Sequence, residues 1–142
     1  MYKRQASGRA KDSIRNILHG RQVGTLLAAT TDPLTARKRW IANQVHFKGV
    51  LVLDNGAVLK LRSQGSSLLS VGVKSVEGNF LRGDIVKCVD DKGTLVAQGV
   101  INYSSDDART IKGVVSERFS DVLGYLGEEE LVHRDNLIVA PN

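Results

Sequence analysis

The stretch from Gly65 to Val89 constrains the fold of this chain most, because glycines separate its short apolar runs. Two of these runs, Val73–Val76 and Ile85–Val89, are rich in β-branched residues and are typical of strands. Gly78 and Gly83 lie between the runs, and glycine adopts the positive φ angles of tight corners at low cost. The pattern therefore predicts two adjacent strands, paired antiparallel, in a small barrel-like sheet.

The segments around this stretch predict further strands and short helices. Gly49–Leu53 is an apolar run that predicts a strand, and Asp54 or Asn55 can cap the helix after it, which ends at Gly65. Thr94–Tyr103 predicts another strand, with Gly99 as a bulge or a close approach. The order is β-α-β-β-β-α-β, an α+β fold with a mixed-sheet pseudobarrel and short helices. The later pieces are a helix from Ser104 through Ile111, an amphipathic segment at Ser116–Leu123 and a strand at Leu131–Val139 that His133–Asn136 interrupts.

The N-terminal segment predicts secondary structure without a core of its own. Asp12 or Ser13 can cap a short helix whose apolar side carries Ile14, Ile17 and Leu18 and which stops at His19 and Gly20. Val23–Ala29 predicts a buried strand. Because one helix and one strand cannot close a core, we expect this segment to be the last piece of a larger α/β domain.

The first five residues, Met1–Gln5, fit nothing that follows them. They resemble the translation of a sequencing-library adapter, so residues 1–5 are left out of the fold prediction. The alternative is a genuine N-terminus.

The charge of the chain is distributed unevenly. The net charge is +5 with a sequence pI near 9.6, which suggests a polyanionic partner. However, residues 1–48 contain ten basic and two acidic residues, whereas residues 49–142 contain ten basic and thirteen acidic ones. The basic excess therefore precedes the predicted barrel, and the global charge says little about what the barrel contacts.

A basic cluster with an indole, Arg37, Lys38, Arg39 and Trp40, lies in the segment predicted to join the two parts of the chain. Three cations beside an indole could bind phosphates and stack on a base. The alternative, which we favour, is that Trp40 and Ile41 dock this linker onto a domain surface while the cations stay solvated or pair with carboxylates.

Motifs for catalysis or metal binding are absent from the sequence. Three widely spaced histidines and the single Cys88 make no zinc pattern, and no phosphate-binding glycine loop of the G-x-x-x-x-G-K-[ST] type occurs. His133–Asp135 is similar to a protein-kinase catalytic loop, but Ala140 stands where a magnesium-binding Asn would be needed. We expect Arg134 and Asp135 to pair or cap before the last strand instead. The unpaired Cys88 fits a reducing, cytoplasmic location, and no apolar run is long enough for a membrane span.

A collinear series of motifs resembles the C-terminal part of the bacterial glutamate 5-kinase family. The series runs from about Ser7 to Val139, which is far more specific than a single motif. Its segments are Val23–Leu26, Arg37–Ile41, Gly65–Leu69, Gly72–Phe80, Asn102–Ser105, Leu123–Tyr125 and His133–Asn136.

The resemblance implies that residues 6–30 are the truncated end of an α/β amino-acid-kinase domain, that residues 31–48 are a linker and that residues 49–142 are a PUA domain. In the family, the ATP and glutamate sites lie upstream of the matching segment. The resemblance thus implies no catalytic, cofactor or metal residues here and no kinase activity of this segment alone, although the parent enzyme would use ATP and Mg²⁺. One departure is Ser70–Val71, where the family often has Pro-Lys, which removes a cation from the loop.

Two functions follow from the resemblance. The first is a regulatory and interaction module that packs on its own kinase domain or on a neighbouring subunit of a homo-oligomer. The second is an RNA-binding module, as PUA domains elsewhere bind structured RNA near the first helix and the strand that follows. Because residues 49–89 have a net charge of only +2, we favour the first. The candidate RNA-binding residues are Lys60, Arg62, Lys74, Arg82 and Lys87.

Overall fold

The chain divides into two compact units, Met1–Pro33 and Leu34–Asn142, in a computed structural model that describes residues 2–28 and 32–141. Predictions for Met1, Ala29 and Thr31 lie outside the described residues. The predicted division into residues 1–5, 6–30, 31–48 and 49–142 concerns the origin of each part and stays a prediction.

The first unit contains strand β1 (Tyr2–Gln5), helix α1 (Ser13–Leu18) and strand β2 (Thr25–Ala28). β1 pairs antiparallel with β2. Tyr2–Gln5, for which no structure was predicted, therefore forms a strand, and the origin of these residues stays a prediction. The prediction of a buried strand was wrong, because all four residues of β2 are exposed.

The start of α1 differs from the predicted cap. Asp12 has a left-handed backbone conformation with φ of 58°, and its side chain makes no capping hydrogen bond. The Ser13 hydroxyl donates backwards instead, to the carbonyl oxygens of Ser7 at 2.9 Å and Ala10 at 3.0 Å. A loop before the helix holds its first residue, which a local capping pattern does not reveal.

The second unit has the predicted order of strands, with two helices beyond the predicted order: α2 (Pro33–Ala42) at the start, and α5 (Phe119–Leu123) at the predicted amphipathic segment. Helix α2 lies in the segment predicted to be a linker. The elements after it are β3 (Gly49–Leu53), α3 (Asn55–Gln64), β4 (Val73–Gly78), β5 (Ile85–Val89), β6 (Leu95–Val100), α4 (Ser105–Ile111), α5 (Phe119–Leu123) and β7 (Leu137–Val139), with single 3₁₀ turns at Ser70–Gly72, Ser116–Arg118 and Arg134–Asn136.

One mixed sheet joins the strands of this unit in the order β4-β3-β5-β6-β7. β3 is antiparallel to β4 and parallel to β5, so the predicted direct pairing of β4 with β5 is wrong. β3 takes the place between them because it is apolar on both faces, with Leu51 and Leu53 fully buried on one face and Val50 and Val52 half-buried on the other. The link from β4 to β5 is more than a tight turn, since its Phe80 is buried in the core.

The caps of α3 and α4 form as the sequence predicts. The Asp54 carboxylate accepts the Ala57 N–H at 2.7 Å, and Gly65 ends α3 in the left-handed conformation. The Ser104 hydroxyl accepts the Asp107 N–H at 3.2 Å. Gly99 is a close approach, because a Cβ there would lie 2.7 Å from the Asn136 carbonyl oxygen. These features confirm the predicted α+β fold with a mixed sheet and short helices.

The Cys88 thiol lies in the core on β5 and is fully buried, which raises its pKa to about 12. We expect a disulfide reagent such as Ellman's reagent to label Cys88 at pH 8 only when the unit unfolds, at a rate that urea accelerates. Because the pKa is higher in the folded state than the model-compound value of 9.0, the folded state keeps the proton. The contribution of the Cys88 proton to the free energy of unfolding is therefore fully present below pH 9. It is lost as the pH rises from 9 to 12, because the thiol of the unfolded chain loses its proton first. Rapid labelling of the native protein would contradict this placement.

Within the described part of the chain, no helix is long and apolar enough to cross a membrane.

Candidate functional site

An open groove runs between α3 and the segment that connects it to β4. Its volume is about 330 Å³, and its surface is mostly apolar. Asp54, Lys60 and Gln64 contribute its polar side chains from the helix side, whereas Leu69 and Val71 contribute apolar ones from the connecting segment.

The wall of the groove opposite α3 is held firmly by the rest of the unit. Gly72 allows this wall to approach the helix, because a Cβ at Gly72 would lie 2.5 Å from the Ala57 Cβ. The Asp54 N–H donates to the Gly72 carbonyl oxygen at 2.9 Å, and the Leu68 N–H donates to the Val132 carbonyl oxygen at 2.8 Å. The groove is therefore preformed.

Ser70 and Val71, which stand where the family often has Pro-Lys, have different roles. Ser70 is structural, and Val71 belongs to the groove. Ser70 is fully buried, and its hydroxyl donates to the Val114 carbonyl oxygen at 2.5 Å. Val71 is 45% exposed and lines the groove. At this point the groove presents an aliphatic side chain where a lysine would present a cation.

Of the five candidate RNA-binding residues, three already have a partner within the chain. The Lys74 ammonium lies 2.7 Å from the Asp91 carboxylate. The Arg82 guanidinium lies 2.9 Å from the Glu128 carboxylate. The Lys87 ammonium sits 4.6 Å from the centre of the Phe47 ring.

The other two candidates, Lys60 and Arg62, lie on α3, and of the five only Lys60 lines the groove. Sequence reasoning missed the acidic partners Asp91 and Glu128 because they are 17 and 46 residues away from the cations they neutralise. No local pattern links residues so far apart.

The basic cluster lies on α2, where Arg37, Arg39 and Trp40 are exposed and Lys38 is partly exposed. Trp40 is 53% exposed, and its predicted docking onto a domain surface stays a prediction. Ile41 is fully buried, and it packs in a small apolar cluster with Ile85 and Val100. The Gln98 amide, which is buried, donates to the Ile41 carbonyl oxygen at 2.7 Å.

The His133–Asp135 segment has a structural role. The His133 Nδ1 accepts the Asp135 N–H at 3.2 Å, and the Arg134 Nε lies 4.0 Å from the Asp135 carboxylate. The expected pairing of Arg134 with Asp135 is therefore present, whereas the cap comes from His133, for which no cap was predicted. Among the residues that the structure describes, no group of three or more His, Cys, Asp or Glu side chains is placed to hold a metal ion.

Comparison with known proteins matches residues 49–123, which contain the groove, to the PUA domain family. Glutamate 5-kinase of Chromohalobacter salexigens is 52% identical over 134 residues, and that of Thioalkalivibrio sulfidiphilus is 51% identical over 134 residues. Each match covers 94% of this chain and 35% or 36% of the relative, so the chain spans about a third of the length of these relatives.

Among solved structures, a PUA domain from Aeropyrum pernix K1 is 28% identical, with a TM-score of 0.44, and covers 61% of this chain and 41% of its own. A PUA domain protein from Thermoplasma acidophilum is 16% identical, with a TM-score of 0.42, and the match covers 79% of this chain and 59% of the Thermoplasma chain. The resemblance to glutamate 5-kinases is confirmed by the sequence matches, and the family match over more than half of the chain shows that it belongs to the PUA domain family.

Proposed function

We propose that this chain is the PUA-bearing part of a glutamate 5-kinase and serves as its non-catalytic interaction module. The parent enzyme would phosphorylate glutamate with ATP and Mg²⁺ in the first step of proline biosynthesis, in the cytoplasm. The module would pack on the kinase domain or on a neighbouring subunit and tune the metal dependence or the proline feedback of the enzyme.

The observation that carries the first part of this proposal, that the chain belongs to a larger kinase, is the exposed apolar surface of the first unit. Ile14 and Leu18 on α1 are 76% and 80% exposed, and Leu26 and Leu27 on β2 are 52% and 46% exposed. None of the residues of α1 is buried. A helix and a strand with their apolar side chains in water gain stability when a partner covers them. The two thirds of each relative that this chain does not match would supply such a cover.

The electrostatics of the surface predicted to bind RNA favour a protein contact over RNA. Nucleic-acid affinity comes largely from cations that neutralise phosphates. Lys74 and Arg82 are neutralised by carboxylates of the same chain, and the groove along α3 is mostly apolar. Few free cations remain on this surface to bind phosphates.

A chimera tests the proposal. In it, this chain replaces the matching third of the Chromohalobacter salexigens enzyme, and ATP-dependent phosphorylation of glutamate is measured. We expect an active chimera, and we expect Leu18→Asp to lower its activity by about tenfold or more, because a charge would then enter the covered apolar contact. The matched control is Leu126→Asp, since Leu126 is 90% exposed on the second unit, and we expect its activity to stay within about twofold. Equal effects of the two substitutions would contradict the proposal.

Two further measurements address regulation and RNA. A chimera that ends at Pro33 should keep phosphorylation but change its response to Mg²⁺ or to proline, and unchanged responses would argue against a regulatory module. In a gel-shift titration of this chain with a structured RNA hairpin, we expect no binding at low salt. Binding with a steep salt dependence would support the RNA-binding alternative instead.

A further inference from the structure

A second cleft lies between α2 and β7, distinct from the groove along α3. Its volume is about 420 Å³. Lys38, Arg39 and Ala42 line it from the helix, and Arg134 together with the β7 strand lines it from the other side. It therefore combines cations with an aliphatic floor.

The cleft follows the free edge of the sheet. β7 is the last strand in the sheet order, and among the described strands it pairs with β6 alone. The Ala140 N–H donates to the carbonyl oxygen of Val96, which lies opposite it. In an antiparallel ladder every second residue pair exchanges hydrogen bonds, so the pair of Gln98 and Ile138, two positions along, does so as well. The backbone polar groups of Val139, which alternates with Ile138, consequently point away from β6 towards the free edge. An extended peptide could pair with them.

The charges that line the cleft all have one sign. Of the described residues that line it, three are basic and none is acidic. In the described part of the chain, neither Lys38 nor Arg39 forms an ion pair, and Arg134 is 68% exposed with only a 4.0 Å contact to Asp135. These cations are thus available to an anionic partner.

We propose that this cleft docks an extended acidic segment of a protein partner, which adds as a strand beside β7 and places its carboxylates against Lys38, Arg39 and Arg134. Strand addition gives affinity through main-chain hydrogen bonds, and alternate side chains give specificity. A peptide with an acid at every second position would direct those acids to one face. The inference does not depend on the function proposed above.

A peptide fits this cleft better than a nucleic acid does. The strand side of the cleft is aliphatic, with Ile138 on the face that α2 covers and Leu137 and Val139 on the face of the main core. The described residues that line the cleft include no aromatic ring on which a base could stack. A nucleic acid also lacks the alternating N–H and C=O groups that a strand edge pairs with. In a strand beside β7, the apolar side chains that alternate with the acids would point to the opposite face of the sheet, on the side of Leu137 and Val139.

The test is a fluorescence-anisotropy titration of the whole chain with a labelled eight-residue peptide that alternates glutamate and valine. We expect micromolar binding that weakens about tenfold with Lys38→Glu and with Arg134→Glu. Arg37→Glu is the matched control, because Arg37 is exposed on the same helix but does not line the cleft, and we expect a change within about twofold. Circular dichroism would verify that each variant is folded.

Three further probes make the experiment decisive. A peptide with lysine in place of glutamate should not bind, and a glutamate peptide N-methylated at alternate amides should bind at least about tenfold more weakly, since N-methylation removes strand pairing. Equal binding of the N-methylated peptide would overturn strand addition. Tighter binding of an RNA hairpin, weakened by the same two charge reversals, would assign the cleft to nucleic acid and also overturn the proposal.

Discussion

Replacing Gly78 with alanine is expected to destabilise the second unit by about 2–5 kcal/mol. Gly78 ends β4 with φ of 89°, a conformation that costs a residue with a Cβ about 1–2 kcal/mol. A Cβ there would also lie 2.5 Å from the Lys48 carbonyl oxygen and 2.8 Å from the Gly49 Cα. Both contacts are to the backbone around the start of β3, so relief requires the sheet to shift, at about 1–3 kcal/mol more. Urea denaturation followed by circular dichroism measures the loss.

Gly83 provides the matched control for this prediction. It has a similar φ of 95°, but a Cβ on Gly83 would meet no atom within 4 Å. Gly83→Ala should therefore cost only the conformational strain, about 1–2 kcal/mol. If the two substitutions cost the same, the close packing of Gly78 against the start of β3 would be refuted, whereas the requirement for glycine at both corners would stand.

The same two glycines indicate how far the sequence determines the fold. Corners at Gly78 and Gly83 are local features, because the φ angle of one residue decides them, and the sequence predicts both. The caps at Asp54 and Ser104 are local as well, since each involves a residue three positions away. The partner of β4 is not local. It depends on β3, more than twenty residues earlier in the chain, and no periodicity within Gly65–Val89 contains that information.

The candidate site shows the same limit. The sequence identifies the α3 segment and its cations, and the family match covers that segment. It does not reveal that Asp91 neutralises Lys74 or that Glu128 neutralises Arg82, because these ion pairs exist only after the sheet and the loops have assembled. Charge counted along the chain therefore overstates the cations available to RNA on this surface.

The first unit differs from its prediction for another reason. Val23–Ala29 has the composition of a buried strand, but burial needs a partner surface as well as an apolar side chain. In the described residues of this strand, Leu26 and Leu27 remain about half exposed. The apolar pattern predicts what the segment would bury in a larger assembly, which is the basis of the proposed interaction.

Replacing Ile41 with alanine is expected to release α2 from the sheet and to lower the stability of the second unit by about 2–5 kcal/mol. Ile41 is fully buried against Ile85 and Val100, and truncation leaves a cavity that the surrounding strands fill only in part. The Ile41 carbonyl also accepts the buried Gln98 amide, so movement of the helix would take this partner away from the amide. Hydrogen exchange of the α2 amides, together with urea denaturation, measures both effects.

Trp40→Ala separates this contact from the one that the basic cluster suggests. The indole is the largest side chain in the Arg37–Ile41 motif, but it is 53% exposed, so its removal should change the stability by no more than about 0.5 kcal/mol and leave α2 protected from exchange. A loss of α2 protection in Trp40→Ala but not in Ile41→Ala would mean that the indole holds this segment.

Because α2 carries Lys38 and Arg39, release of the helix should also abolish acidic-peptide binding in the cleft beside β7. Ile41→Ala is then expected to weaken that binding while keeping every cation, which distinguishes a cleft of fixed geometry from a diffuse attraction between charges.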